Sequence, residues 1–269
     1  MKAGISTASF FARMQIEETP AAIARMGCDT VEVFLNTPSE YAPAFVEQLA
    51  ERIEQRSLKV WSVHAMGTQF EPQLFSLHDR QRKDALKCFE AVLSAAKRLN
   101  AGMYVFHGPA TMRGTVKNVQ MERVGPITHD LCDMAAAYGV ALAWENVSWC
   151  LFQTPSFAVR IRDAAKHDNL KFTLDIKQAA RSGYSPFSYL KWMGDALLNV
   201  HLCDYCRDGR KLRLMMPCQG EFNMDRLKCE LTRMGYSGPV LVEVYSDLYC
   251  DLDELARCFE RVQNALCDD

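Results

Sequence analysis

Eight times along this chain a short apolar run closes on a polar side chain, and each time a segment with helical periodicity follows. The run Gly139-Val-Ala-Leu-Ala-Trp-Glu-Asn146 shows the device most plainly. It is entered from a glycine, is apolar and partly β-branched, and stops at the carboxylate of Glu145. Runs of this length between turn residues read as buried strands, and strands alternating with helices imply a parallel sheet. Eight units favour closure into an α/β (β/α)8 TIM barrel, and 269 residues match the size of one such domain, here 1–269. An open doubly wound sheet would need a phosphate-binding Gly-x-Gly-x-x-Gly turn after the first strand, and Gly4-Ile-Ser-Thr-Ala8 does not supply it.

The boundaries follow from local signals. Strands are expected at Ala3–Ser6, Thr30–Leu35, Leu58–His64, Met103–His107, from Gly139 to Glu145, and at Lys171–Asp175, Leu197–His201 and Val240–Glu243. Helices are expected from Thr19-Pro20 to the stop at Gly27, over Pro43–Arg56, Asp79–Leu99, Val116–Tyr138 and Pro155–His167, after Ser185-Pro186, and over Met224–Met234 and Leu252–Leu266. Between the seventh strand and Met224 a polar loop with Gly209 and Gly220 is expected. Hydrophobic residues at 49% allow a large core, and a net charge of −2 gives no global basic excess for nucleic acid. The opening Met1-Lys-Ala-Gly-Ile-Ser6 lacks the apolar region of a signal peptide, and no apolar run is long enough to span a membrane, so a soluble cytoplasmic protein is expected. The eleven cysteines are an odd number scattered through strands and helices, which reads as reduced thiols. Cys203-Asp-Tyr-Cys206 has no second pair to complete a zinc site.

The polar groups closing the strands are Glu32, His64, His107, Glu145, Asp175, His201 and Glu243. A barrel gathers them at one rim although more than two hundred positions separate the first from the last. A lone carboxylate is costly to desolvate unless it is paired or bound to a metal. Glu145, Asp175, His201 and Glu243, three carboxylates and an imidazole, therefore suggest a site for one divalent cation: Mn²⁺, Mg²⁺, Co²⁺ or Zn²⁺. Glu32 reads equally well as a partner of Lys2 or Arg13, while His78, His129 and His167 fall in helical or loop segments and read as structural.

With these residues on its strands the chain resembles the xylose isomerase-like barrels, which include sugar isomerases and epimerases and the endonuclease IV-type apurinic endonucleases. The marks are Ser62-Val-His64-Ala, Val105-Phe-His107-Gly, Trp144-Glu145-Asn146, Leu174-Asp175, Val200-His201-Leu-Cys-Asp204 and Val242-Glu243. The resemblance implies a metal on Glu145, Asp175, His201 and Glu243, with Glu145 and Glu243 also the catalytic acid/base pair of the ketose 3-epimerase branch. It implies a sugar-binding role for Arg207, and it puts Gln178 where that branch has a substrate-contacting histidine. An endonuclease-like trinuclear centre would draw further ligands from Gln178, Leu212 and Leu214 in or near Arg210–Gly220; leucine cannot coordinate and glutamine is a poor zinc donor, so that activity is disfavoured.

The expected function is a divalent-metal-dependent isomerase or epimerase of a sugar or sugar phosphate. It would pass a carbon-bound proton between Glu145 and Glu243 through a metal-stabilised enediolate of a small polyhydroxy carbonyl substrate. His64 and His107 would bind substrate hydroxyls or a second metal. Trp61, Trp144 and Trp149 offer walls for a sugar face, core packing being expected for at least one of them. The alternatives are a two-metal phosphoesterase using His64, His107 and Glu145, and a sugar-binding barrel without catalysis. Neither a nucleic acid nor a membrane partner is expected. The resemblance implies a homo-oligomer, dimer or tetramer, and no residue pattern marks its interface.

Overall fold

Apolar residues dominate the expected strands, and every residue of Thr30–Leu35 is buried, Glu32 included. Burial on both faces is what a sheet flanked by helices requires. The computed structural model describes residues 1–110, 120–209 and 211–267. In chain order the strands are β1 Ala3–Ser6, β2 Thr30–Leu35, β3 Lys59–Ala65, β4 Met103–Phe106, β5 Ala141–Glu145, β6 Leu170–Asp175, β7 Leu197–Leu202, β8 Asp204–Asp208, β9 Lys211–Met215 and β10 Val240–Val242. Strands β1 to β7 and β10 form a closed parallel barrel in sequence order, shut by β1 against β10 with Ala3 opposite Val240. The expected TIM barrel is the fold that forms.

The helices are α1 Thr19–Arg25, α2 Pro43–Glu54, α3 Glu71–Leu74, α4 Asp79–Arg98, α5 Met121–Ala137, α6 Phe157–Ala165, α7 Ile176–Arg181, α8 Pro186–Met193, α9 Met224–Arg233 and α10 Leu252–Leu266. The longer helices each bury an apolar stripe. On α4 it is Ala85, Phe89, Val92, Leu93 and Ala96, as the spacing predicts. Asn223 caps α9 by accepting from Arg226 N, and Asp251 caps α10 by accepting from Glu254 N. The start expected for the fifth helix, residues 116–119, lies outside the described residues, as does Arg210.

Three features depart from the local reading. The four-residue α3 and the six-residue α7 fall where no helix was expected; α7 starts directly after β6 because the strand's last side chain caps it, Asp175 accepting from Gln178 N. The polar stretch after β7 is an antiparallel hairpin, β8 on β9, with Asp204 opposite Met215. The Asp204 carboxylate anchors it by accepting from the backbone N–H groups of Tyr205, Gly220 and Phe222 at 2.7, 2.8 and 3.0 Å. No helix among the described residues is long and apolar enough to cross a membrane.

All eleven cysteines are free thiols. Cys28, Cys132, Cys150, Cys203 and Cys258 are buried, and burial pushes the thiols of Cys28, Cys132, Cys203 and Cys258 up to about 12. Thiol titration at pH 8 with peptide mapping should therefore label exposed Cys218, Cys229, Cys250 and Cys267 in the folded protein and reach the five buried thiols only in denaturant. Rapid labelling of Cys203 or Cys258 in the native state would show the barrel to be looser than described.

Candidate active site

Parallel strands deliver their carboxyl ends to one rim, so a side chain's height follows from its place in its strand. Glu145 and Asp175 end β5 and β6, His64 and His201 are next to last in β3 and β7, and His107 and Glu243 lie one residue beyond β4 and β10. Asp175 and His201 are register partners and point inward together. His64, His107, Glu145, Asp175, Gln178 and Glu243 make the polar floor of a cavity of about 280 Å³, with Phe11, Phe34, Met66, Trp149, Val244 and Tyr245 as its apolar wall and lip.

Glu32 sits deeper, at the third residue of β2 rather than at the strand end. Neither suggested cation reaches it: Lys2 pairs with Asp29, and Arg13 donates to the carbonyls of Tyr249 and Cys250. Glu32 instead accepts from Ser6 Oγ at 2.8 Å, Ser62 Oγ at 2.6 Å and His201 Nε2 at 2.9 Å. Burial opposes its ionisation, but His201, His64 and Ser62 outweigh it and lower the pKa to about 2. His201, with Nε2–H given to Glu32, turns Nδ1 to Glu145 Oε1 at 3.1 Å and Glu243 Oε2 at 3.5 Å. Burial works against a charged ring here too, yet Glu32, Glu243 and Glu145 hold its pKa well above the usual value.

His107 Nε2 lies 2.7 Å from Glu145 Oε2 and 2.8 Å from His64 Nε2. Burial disfavours charge on both rings. For His107 the Glu145 carboxylate prevails and the pKa rises; for His64 burial and the neighbouring His107 bring it down to about 4. The proton of this pair thus belongs to His107. Glu145, whose burial is outweighed by His107 and His201, is held ionised well below the usual carboxylate range. Asn146 ties the ends of β5 and β6 together, accepting from Asp175 N at 2.7 Å and donating to Asp175 O at 2.8 Å.

Glu145, Asp175, His201 and Glu243 are all buried, and each offers a ligand atom within 4.8 Å of the others'. Three oxygens and a nitrogen, with a carboxylate behind the histidine to fix its tautomer, are a donor set that fits a divalent cation. His64, His107 and Glu145 form a second group of the same tightness. A third, His129, Asp133 and His167, does not fit. His167 Nδ1 accepts from Asn169 N, which leaves the ring proton on Nε2 facing Asp133 rather than a lone pair for a metal.

Two expected substrate contacts are placed elsewhere. Trp144 is fully buried against Phe106 and Phe157 and donates to His107 O at 2.9 Å, so it is a core residue that sets the His107 turn, whereas Trp149 lines the cavity. Alternation along β5 explains this: if Glu145 points inward, Trp144 points out to the helices. Arg207 lies on β8, donates to Ala180 O at 3.3 Å and does not line the cavity. Gln178 lines it while accepting from Ser148 Oγ at 2.8 Å. Leu212 and Leu214, on β9, bring no ligand.

Two site residues escaped the sequence reading. Lys177, 4% exposed, puts Nζ 2.5 Å from Asp175 Oδ2 and in contact with Glu243 Oε2. Burial disfavours its ammonium, but Asp175, Glu243 and Glu145 hold its pKa well above that of an ordinary lysine. Glu71 of α3 accepts from the backbone N–H groups of His107 and Gly108 at 2.9 and 2.8 Å and from the Tyr104 hydroxyl, and so fixes the turn that aims His107. Gly108 itself has φ +73° and would press a Cβ 2.5 Å from the Trp144 ring. A lysine two residues after Asp175 was the only available signal for the first; nothing local marks Glu71.

The profile of the family described as xylose isomerase-like TIM barrel matches residues 20–261. Fructoselysine 3-epimerase of Escherichia coli O157:H7 is 22% identical over 253 residues, covering 91% of this chain and 90% of that protein. Inosose isomerase of Halalkalibacterium halodurans is 26% identical over 181 residues, 63% of this chain and 62% of that one. Among solved structures the IolI protein, crystallised with a zinc atom, superposes with a TM-score of 0.82 at 20% identity over 99% of this chain and 98% of its own.

Glu71→Ala would strand two backbone N–H groups and a hydroxyl in the interior, each costing about 1–3 kcal/mol. Urea denaturation should show a loss of roughly 3 kcal/mol or more, and a change under about 1 kcal/mol would mean that Glu71 does not hold the His107 turn.

Proposed function

This chain belongs to the xylose isomerase-like TIM barrel family, and from that premise we propose that it is a sugar isomerase or epimerase acting on a small polyhydroxy carbonyl compound. The observation that carries the reading is the meeting of Glu145 and Glu243 at the floor of one cavity, among groups that set opposite charge requirements. The names of the relatives agree with it: one is a fructoselysine 3-epimerase and another an inosose isomerase.

Glu145 is ionised and faces the cavity, which suits it to take a proton from a carbon next to a carbonyl. His107, which keeps a proton 2.7 Å from Glu145, can share that charge as it changes. Glu243 serves as the second proton carrier, and its separate strand lets it approach the reacting carbon from another direction. Neutral His64 and the amide of Gln178 are placed to bind substrate hydroxyls. A divalent cation on Glu145, Asp175, His201 and Glu243 would supply Lewis-acid polarisation of the carbonyl. The aromatic lip of Phe11, Trp149 and Tyr245 covers an apolar sugar face and keeps water from the reacting carbon.

A second reading, a two-cation hydrolase, draws support from the group His64, His107 and Glu145, which shares Glu145 with the first. Two tightly bound zinc ions per chain together with phosphoester cleavage would favour it.

Incubated with Mn²⁺ or Co²⁺ and a panel of ketoses, aldoses and inososes in D₂O, the protein should place deuterium on a carbon next to the carbonyl of at least one member, read by NMR. Glu145→Gln and Glu243→Gln, folded and metal-loaded, should each slow that exchange by about 100-fold or more. Full exchange in both variants would overturn the assignment of the two glutamates.

A further inference from the structure

The carboxylate cluster already contains a cation that belongs to the chain. Lys177 is the second residue of α7, and its side chain passes from the first turn of that helix into the barrel mouth. Its ammonium bridges Asp175 Oδ2, at 2.5 Å, and Glu243 Oε2. Asp175 and Glu243 are two of the four residues whose ligand atoms converge within 4.8 Å.

An ammonium has three donors and no lone pair, so it cannot coordinate a metal; it can only compete for the same oxygens. Burying a lysine is expensive unless its charge is matched. Here two carboxylates match it, at the cost of tying up both. A divalent ion seated on the four residues while Nζ stays in place would add two more positive charges within a few ångströms at the same oxygens. One cation must leave for the other to enter.

We propose that Lys177 is an intramolecular competitor for the divalent cation: it holds Asp175 and Glu243 together in the metal-free protein, and metal binding requires its ammonium to withdraw. This rests on the reading that Glu145, Asp175, His201 and Glu243 hold a cation. The consequence is a site that stays assembled and charge-compensated without metal, and that takes metal up more weakly than the same four ligands would alone.

The test measures Mn²⁺ affinity by the EPR signal of the free ion, together with thermal unfolding, for the parent chain and Lys177→Met, whose thioether is no competitor for a hard cation. The variant should bind Mn²⁺ at least about tenfold more tightly and gain more in Tm on adding the metal than the parent does. Equal or weaker binding by Lys177→Met, with one Mn²⁺ still bound per chain, would overturn the competition and leave the four-ligand reading intact. No Mn²⁺ binding by either protein overturns both. Should the variant not fold, reductive methylation of the parent decides the matter by peptide mass spectrometry: Lys177 should be protected without Mn²⁺ and labelled when Mn²⁺ is bound, and unchanged protection in the metal-bound protein refutes the proposal.

Discussion

Charge buried in the mouth of the barrel is the constraint on which this structure turns. Glu32, Glu145, Asp175 and Glu243 are all at most 8% exposed inside the barrel, and each would cost several kcal/mol to desolvate alone. The chain answers with three cationic groups, Lys177, His107 and His201, and with neutral donors from Ser6 and Ser62. Burial and the neighbouring Glu145 and Glu243 push the Asp175 carboxyl up to about 7 although Lys177 opposes them, so the four carboxylates and the three cationic groups come close to balance. The same electrostatics separate the two touching histidines, His107 protonated and His64 neutral, though both are buried.

The site is built in layers. Glu32 lies under the rim and fixes His201; His201 faces Glu145 and Glu243; Glu71 and Trp144 hold the backbone that aims His107. The inward positions at the Glu32 level are Ser6, Ser62 and Asn199 rather than the branched aliphatic residues usual in barrel interiors. The barrel core therefore gives up apolar packing at this level to gain a fixed imidazole, and the stability is recovered outside the sheet. There Trp144, Phe106, Phe152, Phe157 and Phe172 pack between strands and helices, each fully buried and contributing about 1.5–3 kcal/mol.

Lys177 and Glu243 connect the fold to its chemistry. Because α7 starts at Ile176, directly after Asp175, the carboxylate that caps the helix is also a candidate metal ligand: its Oδ1 accepts from Gln178 N while Oδ2 faces the ammonium. One short helix thus sets the position of a candidate ligand, of the ammonium that pairs with it and of Gln178 on the cavity wall. Its placement depends in turn on Asn146 across the β5–β6 ends.

The sequence by itself determined the barrel and most of the groups at its rim, Glu32 and Lys177 being the exceptions. Strand period and helix period are local properties, and a strand that ends in Glu145 or Asp175 carries its functional group to the same edge as every other parallel strand. It also separated the exposed face of α4 from its buried one, since both follow from a 3.6-residue repeat. The partners of those groups were decided by the tertiary structure alone. Glu32 was legible as a carboxylate on a strand, but only closure of the barrel set it beside Asn199 and His201, 167 and 169 residues away. Trp144 was legible as an aromatic residue beside Glu145, and the face it occupies follows from which way Glu145 points. Lys177 reads as an ordinary lysine until Glu243, 66 residues later, comes within reach of its ammonium. Periodicity acts over neighbouring residues and can be read one segment at a time, whereas charge compensation acts through space and exists only once the chain has closed.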